Sequence, residues 1–174
     1  MDATPIRLNL GSGEYPLAGW TNVDLHEPQA DVSLDLGVFP WPWKSFSVDR
    51  ILASHILEHF DKETGYKFLF ECWRILKPKG QLYLAVPDMQ KFVDAIVNGN
   101  RETLKDYKWG SLDTLLGGDG TEARTYMRHR ALYCYESLAY MLGSVRFTII
   151  LPRPPLEFDA PKHLAYSLYV LAIK

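Results

Sequence analysis

The chain has 174 residues, 47% of them hydrophobic and 13% aromatic, with a formal net charge of −2. That length suits one domain, residues 1–174, with material for a sizeable core. The near-neutral balance provides no basic field for nucleic acid or an anionic membrane, and no apolar run reaches the length of a membrane span.

In chain order, the apolar run Ile6–Leu10 breaks at Gly11-Ser12-Gly13, and a second short run ends on Asp24. This reads as strand, glycine turn, short connection, strand. The connection, residues 14–21, holds Pro16 and Gly19, which leaves room for a loop or one helical turn but not a crossover helix. Residues 31–36 alternate and predict a third strand, and the proline-punctuated aromatic segment 39–47 excludes a helix. A fourth strand, 48–54, runs directly into His55. Asp61 is placed to cap a helix whose apolar stripe is Tyr66, Leu69, Trp73 and Leu76, with Lys67 and Glu71 paired four apart on its other side. Pro78 and Gly80 are expected to stop that helix, and 81–88 to form a nearly continuous apolar strand suited to the sheet centre.

Beyond Asp88, residues 89–98 predict a helix, and 99–130, glycine-rich at 117–120, a lid or insertion. Residues 134–142 predict a helix closed by Gly143, and 145–151 and 164–173 a final pair of strands. The class is α/β. Cys72 and Cys134 lie in apolar-patterned segments and are expected buried and reduced, as suits a cytoplasmic protein. The N-terminal MDATPIR lacks the charged-then-apolar pattern of a signal peptide.

The glycine turn and Asp24 converge on one expectation. In an open α/β sheet, ligands sit at the carboxyl ends of the strands. Gly11 and Gly13 let the backbone approach closely, and Asp24 offers acceptors to ribose hydroxyls. Pro16 stands where the third glycine of a dinucleotide fingerprint would be, and no Gly-Lys-Ser/Thr follows, so neither a pyrophosphate seat nor a phosphate cradle is present. A ligand with adenosine and a charged amino acid but no phosphate, S-adenosylmethionine, fits.

His55-Ile56-Leu57-Glu58-His59 matches H-x-x-E-H, a pattern that on a long helix supplies two zinc ligands and a general base. A strand ends immediately before it here. A divalent-ion site on His55, Glu58 and His59 is a further reading. The plainer one has Glu58 and His59 hydrogen-bonded within the strand-to-helix junction, and no metal is assigned. Trp41, Trp43 and Phe46 are expected to pack the core and its rim.

The ordered set LNLGSG, NVDL, DVSLDL, the 39–60 segment and ECWRILKPKGQLYLAVPD resembles a class I S-adenosylmethionine-dependent methyltransferase of the small bacterial, type 11-like kind. The resemblance covers residues 6–90 well and the last forty more loosely. It implies a Rossmann-like fold: a mostly parallel seven-stranded sheet with an antiparallel C-terminal strand pair and helices on both faces. It implies Gly11, Ser12 and Gly13 at the cofactor's amino-acid part, Asp24 at its ribose, Leu25 on the adenine face, and Asp35 with Leu36 at the adenine edge. Ser54 and His55 would stand beside the methyl group. His55 and His129 are candidate bases, and Tyr126 and Arg128 candidate substrate contacts. Two positions depart from the family's pattern: Asn9 replaces an acidic residue, and the third glycine is missing. The expected reaction is methyl transfer to a small molecule, with a sugar or other metabolite favoured. The alternatives are a non-catalytic domain that keeps the fold, or a metal-dependent hydrolase on His55, Glu58 and His59.

Overall fold

Short apolar strands followed by polar turns build the sheet. The computed structural model describes residues 4–99, 128–160 and 166–174. Within them run β1 (Arg7–Leu10), β2 (Thr21–Asp24), β3 (Val32–Ser33), β4 (Val48–Ser54) and a single 3-10 turn (Leu57–His59). There follow α1 (Lys62–Ile75), β5 (Leu76–Pro87), α2 (Met89–Val97), α3 (Tyr135–Ser144), β6 (Ile149–Pro152) and β7 (Ser167–Ile173). The seven strands form one sheet in the order β3-β2-β1-β4-β5-β7-β6. The first five are parallel, and β7 runs antiparallel to both β5 and β6. The carboxyl ends of β1, β2, β4 and β5 therefore share one edge with the start of β7, where Pro87 pairs with Ser167.

Alternation decides which side of the sheet each residue joins. Leu8, Leu10, Ile51, Ala53, Leu82, Leu84, Val170 and Ala172 enter one core with Phe68, Leu69, Cys72 and Ile75 of α1 and Leu138 and Leu142 of α3. The 39–47 segment is irregular, as expected, and Trp41 plugs this core edge-on against Phe68. The intervening strand residues point the other way. There Arg153 makes a buried bidentate pair with Asp159 at 2.6 and 2.8 Å and lies over the rings of Tyr83 and Tyr169. The loop after β6 thus covers with aromatic and ionic contacts a surface that the short β1–β2 connection leaves without a helix. Phe92 of α2 belongs to a separate cluster with Met89 and Tyr166.

Local chemistry explains where elements start and where the sequence-based expectations shift. Asp61 caps α1, accepting from Thr64 N at 2.8 Å, and Asp88 caps α2 by accepting from Gln90 N and Lys91 N. The buried stripe of α1 is Phe68, Leu69, Cys72 and Ile75 rather than Tyr66, Leu69, Trp73 and Leu76. With that rotation Lys67 pairs with Glu63 at 2.6 Å, and Glu71 turns inward to Arg74; the expected Lys67–Glu71 pair does not form. The helix ends at Ile75, ahead of Pro78 and Gly80, and β5 starts at once, with a register irregularity between Val48 and Arg50. The third strand keeps two residues of the six expected. Gly143 lies inside α3, and a positive-φ turn at Arg146 delays β6 to Ile149. The lid expected at 99–130 falls mostly on residues outside those described, as does Tyr126. Among the described residues no helix is long and apolar enough to cross a membrane. Cys72 and Cys134 are free thiols, Cys72 buried.

Candidate functional site

The turn after β1 is held from β2. Gly11 N and Ser12 N both donate to Val23 O, at 2.8 and 3.1 Å, and Gly13 N donates to Asp24 Oδ2 at 3.0 Å. The other oxygen of Asp24 accepts from His26 N and Glu27 N at 2.8 and 3.1 Å. The glycine turn and the acid that follows β2 are therefore joined by one hydrogen bond at one sheet edge. A carboxylate offers about four lone-pair positions. Three backbone donors leave Asp24 room for roughly one more.

The two glycines do different work. Both have positive φ, 67° at Gly11 and 47° at Gly13. A Cβ on Gly11 would meet Ile56 Cβ at 2.9 Å, so the bare backbone there admits a side chain of the protein itself. A Cβ on Gly13 would meet no atom of the described residues within 4 Å. Between them the Ser12 hydroxyl is buried with no hydrogen-bond partner among the described residues, which marks an unfilled polar position beside open space.

The short connection is pinned by amides. Asn9 Nδ2 donates to Asn22 Oδ1 at 3.0 Å and to Tyr15 O at 3.1 Å, while Asn22 Oδ1 also accepts from Leu17 N at 2.8 Å. Asp31 Oδ2 in turn takes Asn22 N at 2.7 Å. Asn9 is thus spent on the loop, a role invisible at the level of its residue type. Leu25 is 45% exposed, Asp35 is exposed with Oδ1 accepting from Gly37 N at 2.8 Å, and Leu36 is buried in the core at 5%.

At the end of β4, Ser54 is half-buried and His55 adopts φ 53°, an uncommon conformation for a residue with a side chain. Its ring lies between two partners: Nε2 is 2.7 Å from Ser167 Oγ, and Nδ1 is 3.0 Å from Glu58 Oε1. Because a carboxylate only accepts, Nδ1 carries the proton and Nε2 receives the serine hydroxyl. Glu58 is 1% exposed, and among the described residues neither of its oxygens has an aligned hydrogen bond; the His55 approach is close but off-axis. His129 Nε2 stands 3.9 Å from the same Oε1. Burial pushes the Glu58 carboxyl up, yet the imidazoles of His55, His59 and His129 together hold it below its ordinary value. Burial and the Glu58 charge push the Tyr166 phenol up to about 12 and raise Tyr133 as well, so both stay protonated.

The segment carrying His129 is anchored to this turn by backbone: Arg130 N and Ala131 N donate to Glu58 O at 2.7 and 3.2 Å. Arg128 is exposed, and its carbonyl accepts from His59 Nδ1 at 3.3 Å. H-x-x-E-H consequently sits on one 3-10 turn behind a strained His55, not on the long helix that a protease of that pattern needs. Ser167 and the enclosure of Glu58 escape sequence reasoning, since Ser167 lies 112 positions from His55. The nearest signal was the H-x-x-E-H spacing itself.

A cavity of about 320 Å³ lies elsewhere, against α1, lined by Phe39, Tyr66, Lys67, Phe70, Glu71 and Val145. None of these residues comes from the glycine turn or the carboxyl ends of β1, β2 and β4. The sheet edge, with its unfilled polar capacity, is the better chemical candidate.

Residues 20–84 match the model of a family described as a methyltransferase domain. No curated protein matches the sequence. Among solved structures, a SAM-dependent methyltransferase from Archaeoglobus fulgidus aligns over 98% of this chain and 86% of its own, at TM-score 0.61 and 12% identity. One from Thermotoga maritima aligns over 97% and 82%, at TM-score 0.60 and 16% identity. The Burkholderia thailandensis 1,6-didemethyltoxoflavin-N1-methyltransferase, solved with its substrate and S-adenosylhomocysteine, aligns over 98% and 71%, at TM-score 0.58 and 18% identity.

Proposed function

We propose that this chain, which shares the fold of S-adenosylmethionine-dependent methyltransferases and matches a methyltransferase domain over residues 20–84, is such an enzyme and methylates a small-molecule acceptor, a sugar or a comparable metabolite, in the cytoplasm. The observation that carries the reading is the hydrogen bond from Gly13 N to Asp24 Oδ2, which brings turn and acid to one edge beside the end of β4. The residues fit the cofactor: open space over Gly13, an orphaned Ser12 hydroxyl and spare acceptor capacity on Asp24.

Bound there, S-adenosylmethionine would supply an electrophilic methyl group on a good leaving group, so alignment and exclusion of water can provide most of the acceleration. Ser12 and Gly13 are suited to its amino-acid part, Asp24 to one ribose hydroxyl and Leu25 to the adenine face. Gly11 serves the turn by admitting Ile56; exposed Asp35 remains the candidate at the adenine edge, whereas Leu36, expected beside it, packs in the core and only supports that segment. His55 is the better-supported base, because Glu58 beside Nδ1 stabilises the imidazolium that forms when Nε2 takes a proton. Taking it requires His55 to exchange Ser167 for the acceptor. His129 is the second candidate, and Arg128 and Tyr126 are candidate contacts to the acceptor.

The test is transfer of a labelled methyl group across a panel of sugars, phenols and amines. Transfer to one class that is lost in His55→Gln supports the proposal. Cofactor binding without transfer to any acceptor would favour a non-catalytic domain.

A further inference from the structure

The turn after β4 contains a carboxylate that is buried and incompletely satisfied. Glu58 is 1% exposed and both its oxygens lack an aligned hydrogen bond among the described residues. Burying such a charge is costly unless something compensates it. Imidazoles surround it, and one ligand atom each from Glu58, His59 and His129 lie within 4.8 Å of one another.

The surroundings of the two histidines suit ligation. His59 Nδ1 can only donate to Arg128 O, which leaves Nε2 with the lone pair. An outer nitrogen fixed by a backbone carbonyl is the usual support of a metal-binding imidazole. His129 already directs Nε2 toward Glu58, and its segment is clamped to the Glu58 carbonyl by two backbone hydrogen bonds. His55, itself held by Ser167, steadies the carboxylate from Oε1.

We propose that Glu58, His59 and His129 form a site for one divalent transition-metal ion of the zinc type. Two imidazole nitrogens and one carboxylate oxygen suit zinc, cobalt or iron better than magnesium or calcium. Ligand bonds of about 2.0–2.2 Å require the three atoms to draw together by up to about 1.5 Å, within the reach of side-chain rotation. Three protein ligands leave a position open for water or another oxygen donor. The set differs from the H-x-x-E-H triplet: His55 supports the carboxylate, and His129, from a distant segment, completes the coordination. His129 is then a ligand and not a base.

The experiment adds cobalt(II), then zinc, to the full chain after chelation and removal of any histidine tag. One equivalent should bind, with the visible d–d absorption of a low-coordinate cobalt site, and zinc should displace it. His129→Asn and His59→Asn should each weaken binding at least tenfold, and His55→Gln by on the order of tenfold as a support of the carboxylate. Circular dichroism of each metal-free variant checks folding, and the partly exposed His129 carries the test if His59→Asn does not fold. Absence of stoichiometric binding, or binding unchanged in His129→Asn, overturns the site. Because the readout is the absorption of the metal, its failure leaves the methyl-transfer reading standing.

Discussion

Two of the polar regions that bury an acid differ in whether the carboxylate itself is satisfied. On α1, Glu71 takes Arg74 Nε and Nη2 at 2.7 Å each and Trp41 N at 3.0 Å, while Arg74 reaches on to Trp41 O. Both Glu71 oxygens are thereby satisfied and the irregular 39–47 segment is tied to the helix, although the Trp41 indole N–H is buried without a hydrogen-bond partner among the described residues. At the carboxyl edge of the sheet, the Ser12 hydroxyl has no hydrogen bond and the Glu58 oxygens no aligned one among the described residues, and Gly13 faces open space there. A satisfied carboxylate stabilises the fold, and unfilled capacity at a strand edge is where ligands are expected.

The contrast breaks first at Glu71. Glu71→Ala strands Arg74 and should cost about 3 kcal/mol, lowering Tm by roughly 6–12 °C, with little change in cofactor affinity for protein that remains folded. Burial raises the Glu71 carboxyl, but Arg74 and the Trp41 amide outweigh it and hold it below its ordinary value. Its contribution is therefore complete above a pH of about 4.3 and is lost as pH falls through the lower folded value. Acid melting curves should show that loss in the wild type and a flatter profile in Glu71→Gln.

Asp24→Ala should behave in the reverse way. Loss of a charged acceptor at the ribose position should weaken S-adenosylhomocysteine binding roughly ten- to hundredfold in calorimetry, with a smaller change in Tm. The glycines sharpen the comparison further. Gly11→Ala collides with Ile56 at positive φ and should destabilise by about 1–3 kcal/mol. Gly13→Ala meets no atom of the described residues and should cost only about 1 kcal/mol in stability, so affinity should fall more than Tm. Smallest is Ser167→Ala, which removes one hydrogen bond from His55 and should lower stability by about 0.5 kcal/mol. Its useful readout is the pH profile of methyl transfer, which should move because Nε2, the nitrogen that takes the proton, loses its serine partner.

Local signals carried much of this into the sequence. The strand breaks at Gly11 and Asp24, the Asp61 cap and the apolar 81–87 run are each written within a few residues, and so the sheet's parallel part could be read. The phase of α1 could not, because Tyr66 and Trp73 are as apolar as Phe68 and Cys72, and tertiary packing selects between the stripes. Pairing of Glu71 with Arg74 instead of Lys67 follows from that phase. Gly11 looks like a ligand approach until Ile56, from another strand's end, occupies the space. The His129–Glu58 and Ser167–His55 contacts join segments some 70 and 112 positions apart, a separation that no periodicity reports.

A crystal structure with S-adenosylhomocysteine bound tests the central claim most directly. The account predicts density over Gly13, with a ribose hydroxyl on Asp24 and the sulfur facing Ser54 and His55. Ligand in the cavity against α1, or an empty crevice at saturating concentration, would contradict it.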